Sequence, residues 1–158
     1  ETELDIPIVA SGGFADGRGM AAALALGAEG INMGTRFLCT EEAPVHRNVK
    51  EAIVKRSELD TELIFRTLGN TARVASNEVS REVVEKLNAG AQFPEVRDLV
   101  SGQRGRTVYE NGDLDAGIWS CGMVQGVIND IPTCGELVPR IVNEAADIIT
   151  GRLAGFVK

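Results

Sequence analysis

Two glycine turns carry the chemistry that the residue types can support. Ala10-Ser11-Gly12-Gly13 and Asn32-Met33-Gly34-Thr35 lie about 20 residues apart, each directly after a short apolar run. Glycine lets a backbone approach an anion with no Cβ in the way. Exposed N–H groups and the positive end of a following helix offset an oxyanion's charge. The hydroxyl of Thr35 adds one more donor. In open α/β folds ligands gather beyond the C-terminal ends of parallel strands, and in (β/α)8 barrels a phosphate commonly sits between the last two βα loops. Each turn alone is also ordinary strand-end chemistry; the pair at this spacing is the more specific signal. No GxGxxG follows the first strand and no GxxxxGK[ST] occurs, so neither a Rossmann site nor a P-loop is supported.

The other reactive side chains are sparse. Three cysteines, Cys39, Cys121 and Cys134, form no CxxC pair, which excludes a zinc ribbon and reads as small buried thiols in a reducing, cytoplasmic setting. The single histidine, His46, sits at an expected helix start and reads as a helix-terminal residue. Asp113 and Asp115 have the spacing of an acid/base pair, but a turn-forming acidic loop is the simpler reading. Trp119 and Tyr109, each the only residue of its type, would either stack on a ring or fill an interface. A net charge of -7 disfavours nucleic acid as a partner, and no apolar run approaches the roughly 20 residues that span a bilayer.

The elements that must position the turns emerge from hydrophobic patterning. Residues 6–10 are almost wholly apolar, as in a strand buried on both faces. Asp16 is placed to cap an alanine-rich helix over 20–26 that ends at Gly27, and residues 30–33 form a second strand. The result is a βαβ unit. Beyond Thr40 the spacing predicts an amphipathic helix over 44–56 with Pro44 in its first turn. A β-leaning stretch over 61–68, a helix over 77–88 stopped by Gly90, and a short helix over 93–100 come next. Residues 102–117, rich in glycine and polar groups, read as loop. The segment Thr133-Cys134-Gly135-Glu136 has capping-box spacing. Pro139 conflicts with a helix start at Thr133, so the last helix either begins nearer Glu136 or bends there.

The run from Ala10 through Gly19, with Leu24-Ala25-Leu26-Gly27-Ala28 and Asn32-Met33-Gly34-Thr35-Arg36-Phe37, closely resembles the nitronate monooxygenase family, once called 2-nitropropane dioxygenases. The likeness continues through Glu41-Glu42-Ala43-Pro44-Val45-His46, Gly112-Asp113-Leu114-Asp115-Ala116-Gly117 and Asp130-Ile131-Pro132-Thr133-Cys134-Gly135-Glu136-Leu137. The resemblance implies an FMN-dependent (β/α)8 oxidoreductase, with nitronate monooxygenases, NADH:quinone reductases and flavin-containing enoyl-acyl-carrier-protein reductases as the branches. It implies cofactor-binding roles for Gly12 and Gly13, and for Asn32, Met33, Gly34 and Thr35, where many members have Gln for Asn32. Cys121-Gly122-Met123-Val124 stands where members commonly show Ala-Gly-Gln, so Met123 departs from the pattern. Residues 70–74 and 109–120 look most like the quinone reductase branch.

The family's catalytic histidine lies upstream of the matched segment, and His46 does not match it. A (β/α)8 barrel takes about 250 residues, so 158 residues starting in an acidic segment read as the C-terminal part of one. The expected organisation is a barrel βαβ segment over 1–39, an inserted smaller α/β domain over 40–116, and a return to the barrel with a closing helix over 117–158. The expected partners are the remainder of the barrel and a small-molecule nitronate, quinone or enoyl thioester, with NAD(P)H as a possible donor. A catalytically inactive fragment or a non-catalytic interaction module is the alternative from another class.

Overall fold

The structure, a computed structural model, describes residues 6–157. Strand β1 (Val9–Ser11) is followed by helix α1 (Gly17–Ala25) and strand β2 (Gly30–Asn32). The Asp16 carboxylate caps α1 by accepting from the Gly19 N–H at 2.9 Å, as its type and position predict. The helix starts three residues earlier than residues 20–26 suggested, because the cap satisfies the first turn. The strands pair in parallel, with Val9 opposite Gly30 and Ser11 opposite Asn32, completing the expected βαβ unit. Burial on both faces does not hold: Val9 is 57% exposed. Among the described residues the sheet has two strands, too few to enclose Val9 from both sides.

Helix α2 (Thr35–Leu38) continues directly from the second glycine turn, and α3 (Arg47–Lys55) comes next. The α3 helix starts later than the expected residue 44, because His46 is its cap and Nδ1 accepts from the Asn48 N–H at 3.2 Å. Its stripe of Val49, Ala52 and Ile53 is buried in a core shared with Cys39, Ala75, Val108, Trp119, Cys121 and Ile128. Strand β3 (Thr61–Ile64) pairs antiparallel with β4 (Ala72–Ala75). It ends earlier than the β-leaning stretch because Phe65 takes a left-handed φ of 59° and a 3-10 turn occupies Arg66–Leu68.

A second core is built by Ile64, Val74, Val79, Val83, Leu87 and Val96. Those residues come from the small sheet and from α4 (Glu78–Asn88) and α5 (Phe93–Val96). The buried Asn77 amide caps α4 through Ser80 N (2.7 Å) and donates to Leu114 O and Gly117 O (2.7 and 2.8 Å). One side chain thereby joins the start of α4 to the 113–117 loop. That loop uses its acids structurally: Asp115 accepts from Glu78 N, and Asp113 from Asp115 N.

Residues 102–117 are not all loop. Helix α6 (Gly102–Asn111) fills most of that stretch. Gly105 within it serves packing: a Cβ there would stand 2.7 Å from the Ile118 carbonyl oxygen. Gly112 ends the helix at φ +72°, and a Cβ there would collide with the His46 ring.

The chain then passes through a 3-10 turn at Met123–Val127 into α7 (Cys134–Asp147). The capping box forms, with Glu136 N donating to Thr133 Oγ1 (3.2 Å) and Thr133 N to Glu136 Oε2 (2.9 Å), so the helix begins after Thr133 and carries Pro139 in its interior. The proline ring presses toward the carbonyl four residues back, which here belongs to Gly135. Helix α7 packs along α1, where Gly17 N donates to Glu144 Oε2 at 2.7 Å. The buried Arg36 fastens α2 to the segment before α7. Its guanidinium donates to Asp130 Oδ1 (3.0 Å), Asp130 O (2.8 Å) and Cys39 O (2.8 Å), while Arg140 holds the other Asp130 oxygen at 2.6 Å. Among the described residues no helix is long and apolar enough to cross a membrane.

This packing has measurable consequences. Gly112→Ala combines left-handed strain with overpacking and is expected to cost about 2–4 kcal/mol in denaturant unfolding. Gly69→Ala, at φ +70° with open space around it, costs only about 1–2 kcal/mol; equal losses would show that the His46 contact contributes nothing. The hydrogen bond from Arg140 holds the Asp130 carboxyl below its usual range against the opposing effect of burial, and the charges of Arg140 and Arg36 add to it. A depressed folded-state pKa gives stability that is present above the unfolded value, about 3.9, and lost as pH falls through the folded one. Unfolding midpoints should therefore drop below about pH 4, and Asp130→Asn should lower stability at neutral pH while shrinking that acid-side drop.

Candidate functional site: the paired glycine turns

Parallel pairing puts both glycine turns at the same end of the sheet. Ser11 and Asn32 are register partners, so the chain leaves β1 and β2 side by side. The Gly12 N–H donates to the Asn32 carbonyl at 3.2 Å, extending the ladder one residue into the first turn. The Asn32 side chain reaches across and donates to Ser11 Oγ at 3.1 Å. Asn32 thus fastens one turn to the other. Met33 is half-buried behind them and brings no polar group.

Gly12 and Gly13 have φ of +86° and +82°, and a Cβ on either would project into open space. Two consecutive left-handed residues are a conformation that glycine alone adopts at low cost. Among the described residues, no acceptor is found for the backbone N–H of Gly13, Gly34 or Thr35. Gly13 and Gly34 are exposed and Thr35 is half-buried.

A third segment joins the site. The Gly122 N–H donates to Thr35 Oγ1 at 3.0 Å; a hydroxyl that accepts there keeps its own hydrogen to donate. Gly122 is held by the residues before it: Ala75 N donates to Trp119 O at 3.0 Å, and Ser120 bridges to Val74. Met123 comes after Gly122 and is 47% exposed. Cys121-Gly122-Met123 is therefore brought to the second turn, while Asn32, Met33, Gly34, Thr35, Gly12 and Gly13 share one strand end.

The remaining reactive residues stand apart from the turns. His46 is engaged in the α3 cap and against Gly112. Trp119 is 1% exposed, packed in the core with the Arg56 guanidinium 5.4 Å from its ring centroid, and so fills an interior rather than facing a ligand. Burial pushes the Cys121 thiol up to about 12 and also raises Cys39, so both are protonated, inert thiols. No group of three or more metal-ligating side chains occurs among the described residues. A concavity of about 300 Å³ lined by Thr61, Phe65, Arg73 and Leu87 contains no residue of either turn.

The electrostatics are those of neutral donors. Arg36, the residue after Thr35, is spent on Asp130 and on backbone carbonyls. An oxyanion at the turns would be recognised by N–H and O–H groups without a facing cation. Two participants had no readable signal in the sequence: Arg36 as the anchor of α2, and the buried Gln125 beneath the Gly122 segment.

Known proteins resemble this chain in sequence and fold. The family model described as Nitronate monooxygenase matches residues 2–144. A probable nitronate monooxygenase of Staphylococcus haemolyticus is 45% identical, with 93% of this chain and 41% of that protein covered. A 5-hydroxy-7a-methyl-1-oxo-octahydro-1H-indene-4-carboxyl-CoA dehydrogenase of Rhodococcus jostii is 32% identical, with 90% of this chain and 50% of that protein covered. The structure of FabK from Thermotoga maritima superposes with a TM-score of 0.89 at 36% identity, covering 97% of this chain and 48% of that one. The chain spans about half the length of these relatives. Its mixed α/β fold, with one parallel strand pair, is a portion of their barrel architecture. On the matched residues and the shared fold, the chain belongs to the nitronate monooxygenase family.

Proposed function

We propose that this chain is the C-terminal, phosphate-anchoring portion of an FMN-dependent oxidoreductase that acts on alkyl nitronates. The observation that carries the reading is the pair of glycine turns at one strand end, with the N–H groups of Gly13, Gly34 and Thr35 free of acceptors among the described residues. The residues fit the group. A phosphate needs convergent donors and close backbone approach, and Gly12 and Gly13 keep the approach clear of any Cβ. Gly13, Gly34 and Thr35 would hold the phosphate, while Asn32 fixes the two turns to each other and Met33 backs them. FMN supplies reversible electron acceptance. The chain's part is to bind and orient it.

No histidine or free carboxylate stands at the turns among the described residues, so proton abstraction would fall to groups outside them. The expected companion is the remainder of the barrel, with residues 40–116 as an inserted smaller domain. The exposed Ile8 and Val9 at the two-stranded sheet and the second core, whose buried members all lie within residues 64–96, support that organisation. A cytoplasmic location belongs to the same reading.

A second reading is reduction of an enoyl thioester or a quinone with NAD(P)H. Its thioester form is favoured by the carboxyl-CoA relative and its quinone form by residues 70–74 and 109–120, and Met123 stands where family members commonly carry an amide. Three assays on the complete enzyme separate the readings: oxygen uptake with a nitronate and no NADH, NADH-dependent quinone reduction, and NAD(P)H-dependent reduction of an enoyl thioester. The nitronate reading expects turnover in the first alone; turnover only in either of the others overturns it. In the same enzyme Gly13→Val is expected to weaken FMN about 10-fold or more, because the side chain enters the approach path and φ is strained. Thr35→Ala is expected to weaken it by a smaller factor, through loss of one donor.

A further inference from the structure

Besides the backbone contacts of Trp119 and Ser120 with β4, the segment that carries Gly122 and Met123 is tied down by one buried side chain, Gln125. Gln125 lies within the 3-10 turn at Met123–Val127 and is fully buried. Its Oε1 accepts from the Cys121 thiol at 3.0 Å, and its Nε2 donates to Ser57 O at 2.7 Å and Asp60 O at 3.3 Å. The backbone of Gln125 closes the same turn, with its N–H on Gly122 O and its carbonyl accepting from Ile128 N. Beside it, Gly126 lies so flat on the 57–60 connection that a Cβ would stand 2.8 Å from Glu58 N. One amide therefore ties the residue before Gly122 to the link between α3 and β3. Gly122 in turn holds Thr35 Oγ1.

We infer that Gln125 is a positioning residue: its neutral amide holds Gly122 against Thr35, and flavin binding at the turns depends on it. The inference rests on the FMN reading above and adds the device that sets the site's third wall.

The chemistry is specific to an amide. The Cys121 thiol, its pKa pushed up by burial to about 12, remains an S–H donor and needs an acceptor. The two backbone carbonyls need a donor. An amide offers both at once, and an ionised carboxylate offers only acceptors. The titratable and charged groups near this amide are Cys121, with Arg56, Cys39 and Tyr109 around that thiol, the Asp60 carboxylate, which accepts from Ser57 N and Oγ, and the Glu58 carboxylate beside Gly126. A glutamate at this position would face two carbonyls in a buried place, which raises a carboxyl pKa. Its neutral form restores the amide's pattern by donating to Ser57 O and accepting from the thiol.

The test measures FMN affinity by flavin fluorescence and records the bound flavin's absorption band, from about pH 5.5 to about pH 8.5. It compares the complete wild-type enzyme with Gln125→Glu and Gln125→Leu. Gln125→Glu should match wild type at the acid end and bind about 10-fold or more weakly at the alkaline end, with an altered band. Gln125→Leu should bind weakly throughout. Gln125→Glu following the wild-type pH profile, or Gln125→Leu binding as tightly as wild type, overturns the inference alone. So does a purely structural outcome, in which both variants lower the unfolding temperature of the flavin-free enzyme yet leave affinity and band shape unchanged. Absence of FMN binding by the wild type overturns the flavin reading and this inference together.

Discussion

Parallel pairing of β1 with β2 is the constraint on which the rest of the structure depends. Parallel strands require a crossover, and here a single helix, α1, supplies it. Because the strands run the same way, the turns after them must emerge at one end, and the bond from Gly12 N to Asn32 O carries the pairing into the first turn itself. An antiparallel arrangement of the same residues would place the two glycine turns at opposite ends. The donors of Gly13, Gly34 and Thr35 would then have no common target.

The rest of the chain acts on this strand end through a few buried polar groups. Arg36 locks α2 to Asp130 and so fixes the helix that leaves the second turn. Asn77 joins α4 to the 113–117 loop, and β4 receives the 119–120 backbone that leads to Gly122. Asn77 has partners for its oxygen and both amide hydrogens, and Arg36 for both terminal nitrogens, while the buried Nε of Arg36 has none among the described residues. Such pairing is the condition under which buried polar groups add order rather than cost. The outcome is that three separate stretches of chain meet at the proposed site, where the donors are neutral N–H and O–H groups among the described residues.

Local signals in the sequence were sufficient for the βαβ unit. Glycine punctuation bounded the strands, Asp16 marked the start of α1, and the period of Val79, Val83 and Leu87 revealed α4. The resemblance to the family implies cofactor-binding roles for Gly12, Gly13, Asn32, Met33, Gly34 and Thr35, and the proposed phosphate site builds on that implication. The failures have physical causes. Helix α6 was hidden because Gly105 is demanded by contact with the Ile118 carbonyl, and a glycine required by packing looks the same in sequence as one required by a turn. The start of α3 was misplaced because His46, an uncommon cap, took the place that Pro44 suggested. The exposure of Val9 reflects the number of strands in the sheet, which no local pattern records. The partners of Gln125 lie 68 and 65 residues earlier in the chain, and a lone glutamine between Val124 and Gly126 carries no mark of them.

Recognition of a phosphate through neutral donors at the paired turns has a direct measure in the affinities of the complete enzyme for FMN and for riboflavin, which differ only in that phosphate. If the turns act as described, FMN binds about 100-fold or more tightly than riboflavin, about 2.7 kcal/mol or more. Equal affinity for the two would contradict a phosphate site at the turns.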